Sequence, residues 1–342
     1  MIKAGIIGAT GYTGAELMRI LIQHPEADIV AIGARNNTMQ VGAYHTNMYQ
    51  CLSHTFCDIA IENFKECDVV FLALPHGTSS IYAKQLIAYN IKVIDLGADF
   101  RLNDIQSYKK WYGDAHEYLE MLPQTVYGLP EIKREQIKHQ HLIANPGCFP
   151  TSIILGIAPL CTNNLLEQSM IVVDSVSGLS GAGKQLSEKT HFINVNNNVN
   201  AYSIGCHRHL PEIIQEIEAL SEGEVEIVFT PHLIPINRGI LSTITLKLSK
   251  DMTQNELNIL YQAFYQNEYF VRIREENTVN IRDVVGSNFC DISIQAINDR
   301  TVVITSAIDN LMKGASGQAV QNMNILFDLE ETMGLDTIPL WP

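Results

Sequence analysis

Cys148 lies in Ala144-Asn145-Pro146-Gly147-Cys148-Phe149-Pro150-Thr151-Ser152. A short apolar strand pattern breaks there at Asn-Pro-Gly and an apolar helical run begins, so the sulfur is expected at a helix N-terminus. Backbone N–H groups without helical partners and the positive end of the helix dipole favour a thiolate at such a position. The residue therefore reads as a nucleophile. A space-filling, inert thiol is the alternative, but it has no need of the constrained Pro-Gly turn before it.

Cys206-His207-Arg208-His209-Leu210-Pro211-Glu212 supplies a proton carrier and a cation just ahead of a helix. Two neighbouring histidines also suit a metal, yet no third ligand stands at a matching spacing, so acid/base work is favoured. Spacing alone does not choose between His207 and His209. Asp95-Leu96-Gly97-Ala98-Asp99-Phe100-Arg101 closes an apolar strand at the edge where ligands of α/β folds collect, making Arg101 a candidate phosphate clamp. A salt bridge from Arg101 to Asp99 or Asp104 is its rival role. Ser177-Gly178-Leu179-Ser180-Gly181-Ala182-Gly183-Lys184 is a second Gly/Ser-rich loop. It lacks the glycine spacing of an ATP-binding phosphate loop, so Ser177 is read as lining the substrate side.

Gly8-Ala9-Thr10-Gly11-Tyr12-Thr13-Gly14 follows the first strand pattern and opens the first helix. In that context a glycine-rich turn holds a dinucleotide pyrophosphate on backbone N–H groups. Gly8 makes the turn, Gly11 admits the phosphate and Gly14 lets helix and strand pack closely. The second strand ends at Gly33-Ala34-Arg35, where an NAD-specific fold carries an acid for the ribose 2′-hydroxyl. A cation there suits the 2′-phosphate of NADP. A nucleophilic cysteine and a nicotinamide together point to an aldehyde and an acyl phosphate interconverted through a thioester, with the reacting carbon held beside the nicotinamide.

The elements that position these groups alternate in the first part of the chain: strands near 4–7, 29–32, 69–74, 93–96 and 142–144, with helices over 13–23 and 79–89. Such alternation predicts a Rossmann-type parallel sheet with helices on both faces. Longer strand patterns at 171–176, 226–233, 240–248, 291–297 and 302–308, with helices over 211–220 and 255–265, predict a second α+β domain with a mixed or antiparallel sheet. The expected division is an NADP-binding domain over 1–147, completed by a C-terminal helix over 310–342, and a catalytic and oligomerisation domain over 148–309. The length of 342 residues suits two cores. A formal charge of −14 argues against a nucleic-acid partner. Neither a secretory leader nor a membrane-spanning run is visible, and seven cysteines without metal-ligand or disulfide spacing read as reduced thiols of a cytoplasmic protein.

Taken together, these blocks resemble the N-acetyl-γ-glutamyl-phosphate reductase family of arginine biosynthesis and, more distantly, aspartate-semialdehyde dehydrogenases. The resemblance spans nearly the whole chain. It also rests on Leu74-Pro75-His76-Gly77, Tyr127-Gly128-Leu129-Pro130-Glu131 and Phe229-Thr230-Pro231-His232. It implies NADPH-dependent reduction of a small acyl phosphate to a semialdehyde with phosphate release. Cys148 corresponds to the nucleophile, and His209 to the acid/base with Glu212 in support. Asn145, Ser177, His207 and Arg208 join Arg101 on the substrate side. Asn310-Leu311-Met312-Lys313-Gly314-Ala315 matches a segment placed against the cofactor, implicating Asn310, Lys313 and Gly314. Gly97 stands where the family often has Ser. A homo-oligomer through the second domain's sheet is also implied. The competing readings are aspartyl or aminoadipyl phosphate as substrate, and a noncatalytic NADP sensor.

Overall fold

Strand β1 (Ile2–Ile7) is buried at every position but one and runs parallel to both β2 (Ala27–Gly33) and β3 (Val69–Leu72). β4 (Lys92–Asp95), β5 (Val126–Tyr127) and β6 (Leu142–Ala144) complete an all-parallel sheet of order β2-β1-β3-β4-β6-β5. The chain steps from β1 outward to β2, then crosses back to β3, so the C-terminal ends of β1 and β3 form the switch point where α/β sheets bind ligands. In this computed structural model residues 1–113, 118–167, 170–221, 223–275 and 278–341 are described.

The helices of this unit are α1 (Tyr12–Leu21), the short α2 (Val41–Tyr44), α3 (Ser79–Ala88), α4 (Ile105–Tyr112) and α5 (Pro130–Ile137). Pro130 opens α5, where its missing N–H costs nothing. Contacts divide the chain into two compact units, one of residues 1–146 and 315–336, the other of 147–314 and 337–342. The segment 310–342 thus does not return as one helix. A π-helical turn, Met312–Ser316, leads into α10 (Gly317–Leu326), which packs on α1, α5 and β4, while the tail from Thr337 clusters with the second unit. α10 is buried all round, and its amides work inward: Asn324 Oδ1 lies 2.9 Å from His24 Nε2, and Asn322 Nδ2 donates to Gly128 O at 2.8 Å.

The second unit begins with α6 (Cys148–Thr162), followed by β7 (Ile171–Ser177), the short α7 (Phe192–Val195), β8 (Asn200–Ala201), α8 (Leu210–Ser221), β9 (Ile227–Leu233), β10 (Ile240–Lys247), α9 (Gln254–Phe264), β11 (Val271–Ile273), β12 (Cys290–Ala296) and β13 (Thr301–Ile308). The sheet order is β11-β12-β13-β10-β7-β9-β8. The pairs β11/β12 and β7/β9 are parallel and the other four antiparallel, so this is the mixed sheet that the longer strand patterns predict. α6 packs on β10 and β13, α8 on α6 and β9, and α9 on β12. The residues of β10 alternate between buried (Ile240, Ser242, Ile244, Leu246) and partly or fully exposed (Leu241, Thr243, Thr245, Lys247), which leaves the opposite face open.

α6 is apolar on every side and buried from Phe149 to Cys161, as a core helix must be. Pro159 lacks the N–H that would bond the carbonyl of Leu155. Tyr265 repairs the gap, its hydroxyl donating to Leu155 O at 2.5 Å, while Tyr261 donates to Gly156 O at 2.7 Å. Tyr265→Phe strands a buried carbonyl and should destabilise the fold by about 1–3 kcal/mol. Urea unfolding checks this; a loss below a few tenths of a kcal/mol would show that the carbonyl finds another donor.

Candidate active site

Gly8 has φ +93°, and a Cβ there would lie 2.2 Å from the carbonyl oxygen of Ala73 at the end of β3. A Cβ on Gly14 would lie 2.6 Å from Ala9 Cα, whereas one on Gly11 meets nothing closer than 3.7 Å. The turn thus needs glycine at its two packed positions and leaves space at its middle one. Gly11 is the N-cap of α1 and no side chain caps that end, so the first-turn amides stay outside the helical ladder. Thr10, Tyr12 and Thr13 are exposed or half-buried along this rim, and Ser316 Oγ donates to Thr13 O at 2.9 Å. Arg35 is exposed just beyond β2. This cradle and its cation fit a dinucleotide.

At the ends of β4 and β6 the polar side chains face inward. Asp99 accepts the amides of Gly77, Ser79 and Ser80 at 2.5, 2.8 and 3.1 Å, holding the loop before α3 and the first turn of that helix. Asp95 accepts Gly97 N at 2.9 Å, and burial followed by the neighbouring Asp99 charge pushes its carboxyl up to about 7. A Cβ at Gly97 would lie 2.9 Å from Asp95 Oδ1, so a bare glycine suits this chain. Arg101, the candidate phosphate clamp, is only 7% exposed and donates Nε to Asn145 O and Nη2 to Leu96 O, each at 2.9 Å. Asn145 is wholly buried and its amide joins Ala315 O at 3.0 Å and Asn322 at 3.1 Å. Both residues are spent on framework bonds, because a buried guanidinium or amide must find acceptors inside the fold.

In the second unit Cys148 is the first residue of α6 and is half-buried, with Gly147 as an extended N-cap that has no side chain to cap the helix. The Gly147 amide donates instead to Oε1 of the buried Glu212, 2.7 Å away in the first turn of α8. Gly314 approaches from the opposite end of the segment: a Cβ there would lie 2.8 Å from Cys148 Cβ. Lys313 is fully buried and lies 5.9 Å over the ring of Phe270. Asn310 accepts Gly239 N at 2.7 Å and donates to Ser180 Oγ at 2.9 Å, so its side chain pins two loops. Ser177 is also buried, its hydroxyl turned to Gly178 O at 3.1 Å.

His207 and His209 are brought together with Phe149, the ring centroids 4.9 Å apart and 5.5 and 6.0 Å from that of Phe149. Burial, then the charge of Arg208, pushes His207 down to about 4. Its Nδ1 accepts the amide of His209 at 3.1 Å, as a neutral ring must. Arg208 is exposed. Sequence reasoning missed Tyr202, whose ring packs 5.6 Å from His207 and whose hydroxyl is pushed well up by burial and then by the charge of Cys148. Only its place five residues before His207 hinted at it. Among the described residues no group of three or more His, Cys, Asp or Glu is placed to hold a metal, and no helix is long and apolar enough to cross a membrane.

Because His207 binds its proton more weakly in the fold than at its ordinary 6.5, the unfolded chain is protonated first as pH falls. Its contribution to stability is complete above about 6.5 and is lost towards 4. His207→Asn should lose less stability than the wild type between these limits in paired urea titrations. Parallel curves would refute the buried neutral imidazole.

Residues 3–140 match the family described as semialdehyde dehydrogenase, NAD binding domain, and residues 148–310 the semialdehyde dehydrogenase, dimerisation domain. The N-acetyl-gamma-glutamyl-phosphate reductase of Thermoanaerobacter pseudethanolicus is 46% identical over 352 residues, covering 100% of both chains. That of Caldicellulosiruptor bescii is 47% identical over 340 residues, with 98% of each covered. Aspartate semialdehyde dehydrogenase II of Vibrio cholerae shares the fold, with a TM-score of 0.73 at 15% identity over 96% of this chain and 99% of that one. With two matched domains and full-length relatives at this identity, the chain belongs to the N-acetyl-γ-glutamyl-phosphate reductase family of semialdehyde-dehydrogenase-fold enzymes.

Proposed function

We propose that the chain reduces N-acetyl-L-glutamyl 5-phosphate to N-acetyl-L-glutamate 5-semialdehyde with NADPH, releasing phosphate, as a step of arginine biosynthesis. One observation carries the chemistry: a half-buried thiol at the first position of a fifteen-residue helix, its N-cap amide held by Glu212. The full-length relatives named for this reaction supply the acyl group. Aspartate semialdehyde dehydrogenases share only the fold at 15% identity, which does not favour aspartyl phosphate.

The Cys148 sulfur attacks the acyl carbon, forming a C–S bond and a tetrahedral oxyanion. Amides at the start of α6, outside the helix's own ladder, stabilise that oxygen. As the oxyanion collapses the carbon–oxygen bond to phosphate breaks, leaving a thioester on Cys148 and the phosphate near the exposed Arg208. NADPH, when bound, supplies the hydride that reduces this carbon. His209 protonates the oxyanion that results, giving the hemithioacetal, and takes the proton back as the C–S bond breaks, the sulfur leaves as thiolate and the aldehyde is released. Glu212 acts by positioning, since its carboxylate fixes the backbone immediately before the thiol. Neutral His207 orients the His209 backbone. For the cofactor, Gly8, Gly11 and Gly14 shape the turn, and Arg35 meets the 2′-phosphate. Lys313 and Gly314 lie on the segment that abuts Cys148. A homo-oligomer would use the open face of the mixed sheet, where Leu241 and Thr243 of β10 are half-exposed in the part that matches a dimerisation domain.

Cys148→Ser should lose ~10³-fold or more of turnover while still binding NADPH. The assay is phosphate-dependent NADP reduction with the N-acetylglutamate, aspartate and aminoadipate semialdehydes. Preference for the aspartate or aminoadipate substrate would overturn the acyl assignment, and near-normal turnover of the variant would overturn the thioester. Arg35→Ser should raise KM for NADPH about tenfold, the equivalent of one charge-assisted bond of roughly 1.4 kcal/mol, and leave NADH unchanged. An equal change for both cofactors would show that Arg35 does not read the 2′-phosphate.

A further inference from the structure

Edge strand β11 presents Arg272 on one side of a parallel pair with Asp291 of β12, and Arg274 follows two residues later on the same face. The buried Asp291 is largely claimed by Arg272, whose Nε lies 2.5 Å from Oδ1 and whose Nη2 donates to Asp283 O at 2.9 Å. Arg274 reaches Asp291 only at 3.4 Å and Asp283 at 3.9 Å, and neither approach is a hydrogen bond. Arg282 makes no ion pair among the described residues and sits over Trp341, its Cζ 4.4 Å from the ring centroid.

Backbone and side-chain hydrogen bonds tie down the tail that carries Trp341, itself 69% exposed. Leu340 N donates to Val285 O at 2.8 Å and Thr337 Oγ1 to Gly286 O at 3.3 Å. Gly286, at φ +80°, leaves no room for a Cβ, which would lie 2.7 Å from Leu340 Cγ. Arg272, Arg274, Arg282, Asp283, Leu340 and Trp341 help line one cavity of about 270 Å³. Among the described residues three guanidinium groups face two carboxylates, Asp283 and Asp291, and neither the Arg274 nor the Arg282 side chain makes a hydrogen bond, Arg274 being held only by the longer approaches to those carboxylates. A lone exposed arginine is ordinarily satisfied by water, but two beside an aromatic plane in one cavity match how phosphate groups are recognised.

We propose that this cavity is a binding site for a phosphate group, with Arg274 and Arg282 forking its oxygens and Trp341 covering its exposed side. The site uses none of the residues assigned to the reaction. Its occupant is inorganic phosphate or the phosphate of a small monoester, which share this recognition.

Trp341 reports on it directly, because the chain has only one other tryptophan, Trp111. In the full chain carrying Trp111→Phe, inorganic phosphate or glycerol phosphate should change Trp341 fluorescence saturably, with sodium chloride holding ionic strength constant. The probe that saturates at the lower concentration identifies the source. Adding Arg274→Gln or Arg282→Gln should weaken half-saturation at least about tenfold, which is 1.4 kcal/mol. NADPH-dependent turnover should be unchanged in these variants, showing that they fold. No saturable change with either probe, a change reproduced by chloride, or one that survives both glutamine variants would overturn the site and leave a solvated ion-pair network. The local fluorophore keeps this outcome separate from phosphate binding near Cys148.

Discussion

The absence of a side chain at Gly314 fixes the surroundings of the thiol. A Cβ at that position would lie 2.8 Å from Cys148 Cβ and 3.3 Å from Asp309 O, so the backbone passes where no other residue could. The path is set by Asp309. Its buried carboxylate accepts Leu311 N and Met312 N on one oxygen and Gly286 N on the other, and pairs with Arg238 Nε at 2.9 Å. A buried carboxylate is tolerable only because this many donors compensate its lost hydration. Glu212 does the same from the other side, through the amide of Gly147. The backbone around Cys148 is therefore held by two distant segments, and under the proposed reaction these carboxylates would preorganise the thiol through main-chain amides.

The parallel-sheet unit follows the same division of labour. Asp99, Asp95, Arg101 and Asn145 cluster at the strand ends where ligands gather in such folds, yet their hydrogen bonds go largely to main-chain amides and carbonyls. They hold loops in place. What is left at the surface for ligands is backbone N–H, at the glycine turn after β1, and exposed cations such as Arg35. A long cationic side chain that had to serve both as frame and as clamp would lose one role whenever a ligand left.

Much of this was legible in the sequence. The apolar runs gave five of the seven strands of the mixed sheet to within about two residues, missing the short β8 and β11, and the Asn-Pro-Gly break placed Cys148 at the start of its helix. The glycine turn was readable because steric demand is encoded in one residue type. The two-residue β5 was not, since so short a strand leaves no periodicity. α10 was blurred into a longer stretch because its amide-rich face looks solvated, whereas Asn322 and Asn324 are buried and answer carbonyls and a histidine far away in sequence. Arg101 and Asn310 carried the right residue types, but only tertiary packing shows the hydrogen bonds their side chains make inside the fold.

Identical side chains acquire opposite chemistry here through burial, which spacing alone does not reveal. α6 carries two cysteines. Cys161 is enclosed in the core and burial pushes its thiol up to about 12, so it stays protonated and inert. Cys148, thirteen residues earlier on the same helix, meets the unpartnered end of the backbone ladder and is half-buried. The paired histidines divide in the same way. His207, held down to about 4 by its burial and by Arg208, is confined to accepting a hydrogen bond, and it gives that service to the backbone of His209. A ring that stays neutral above that value cannot alternate between acid and base there, which is why the proposed reaction gives the proton-carrying role to His209.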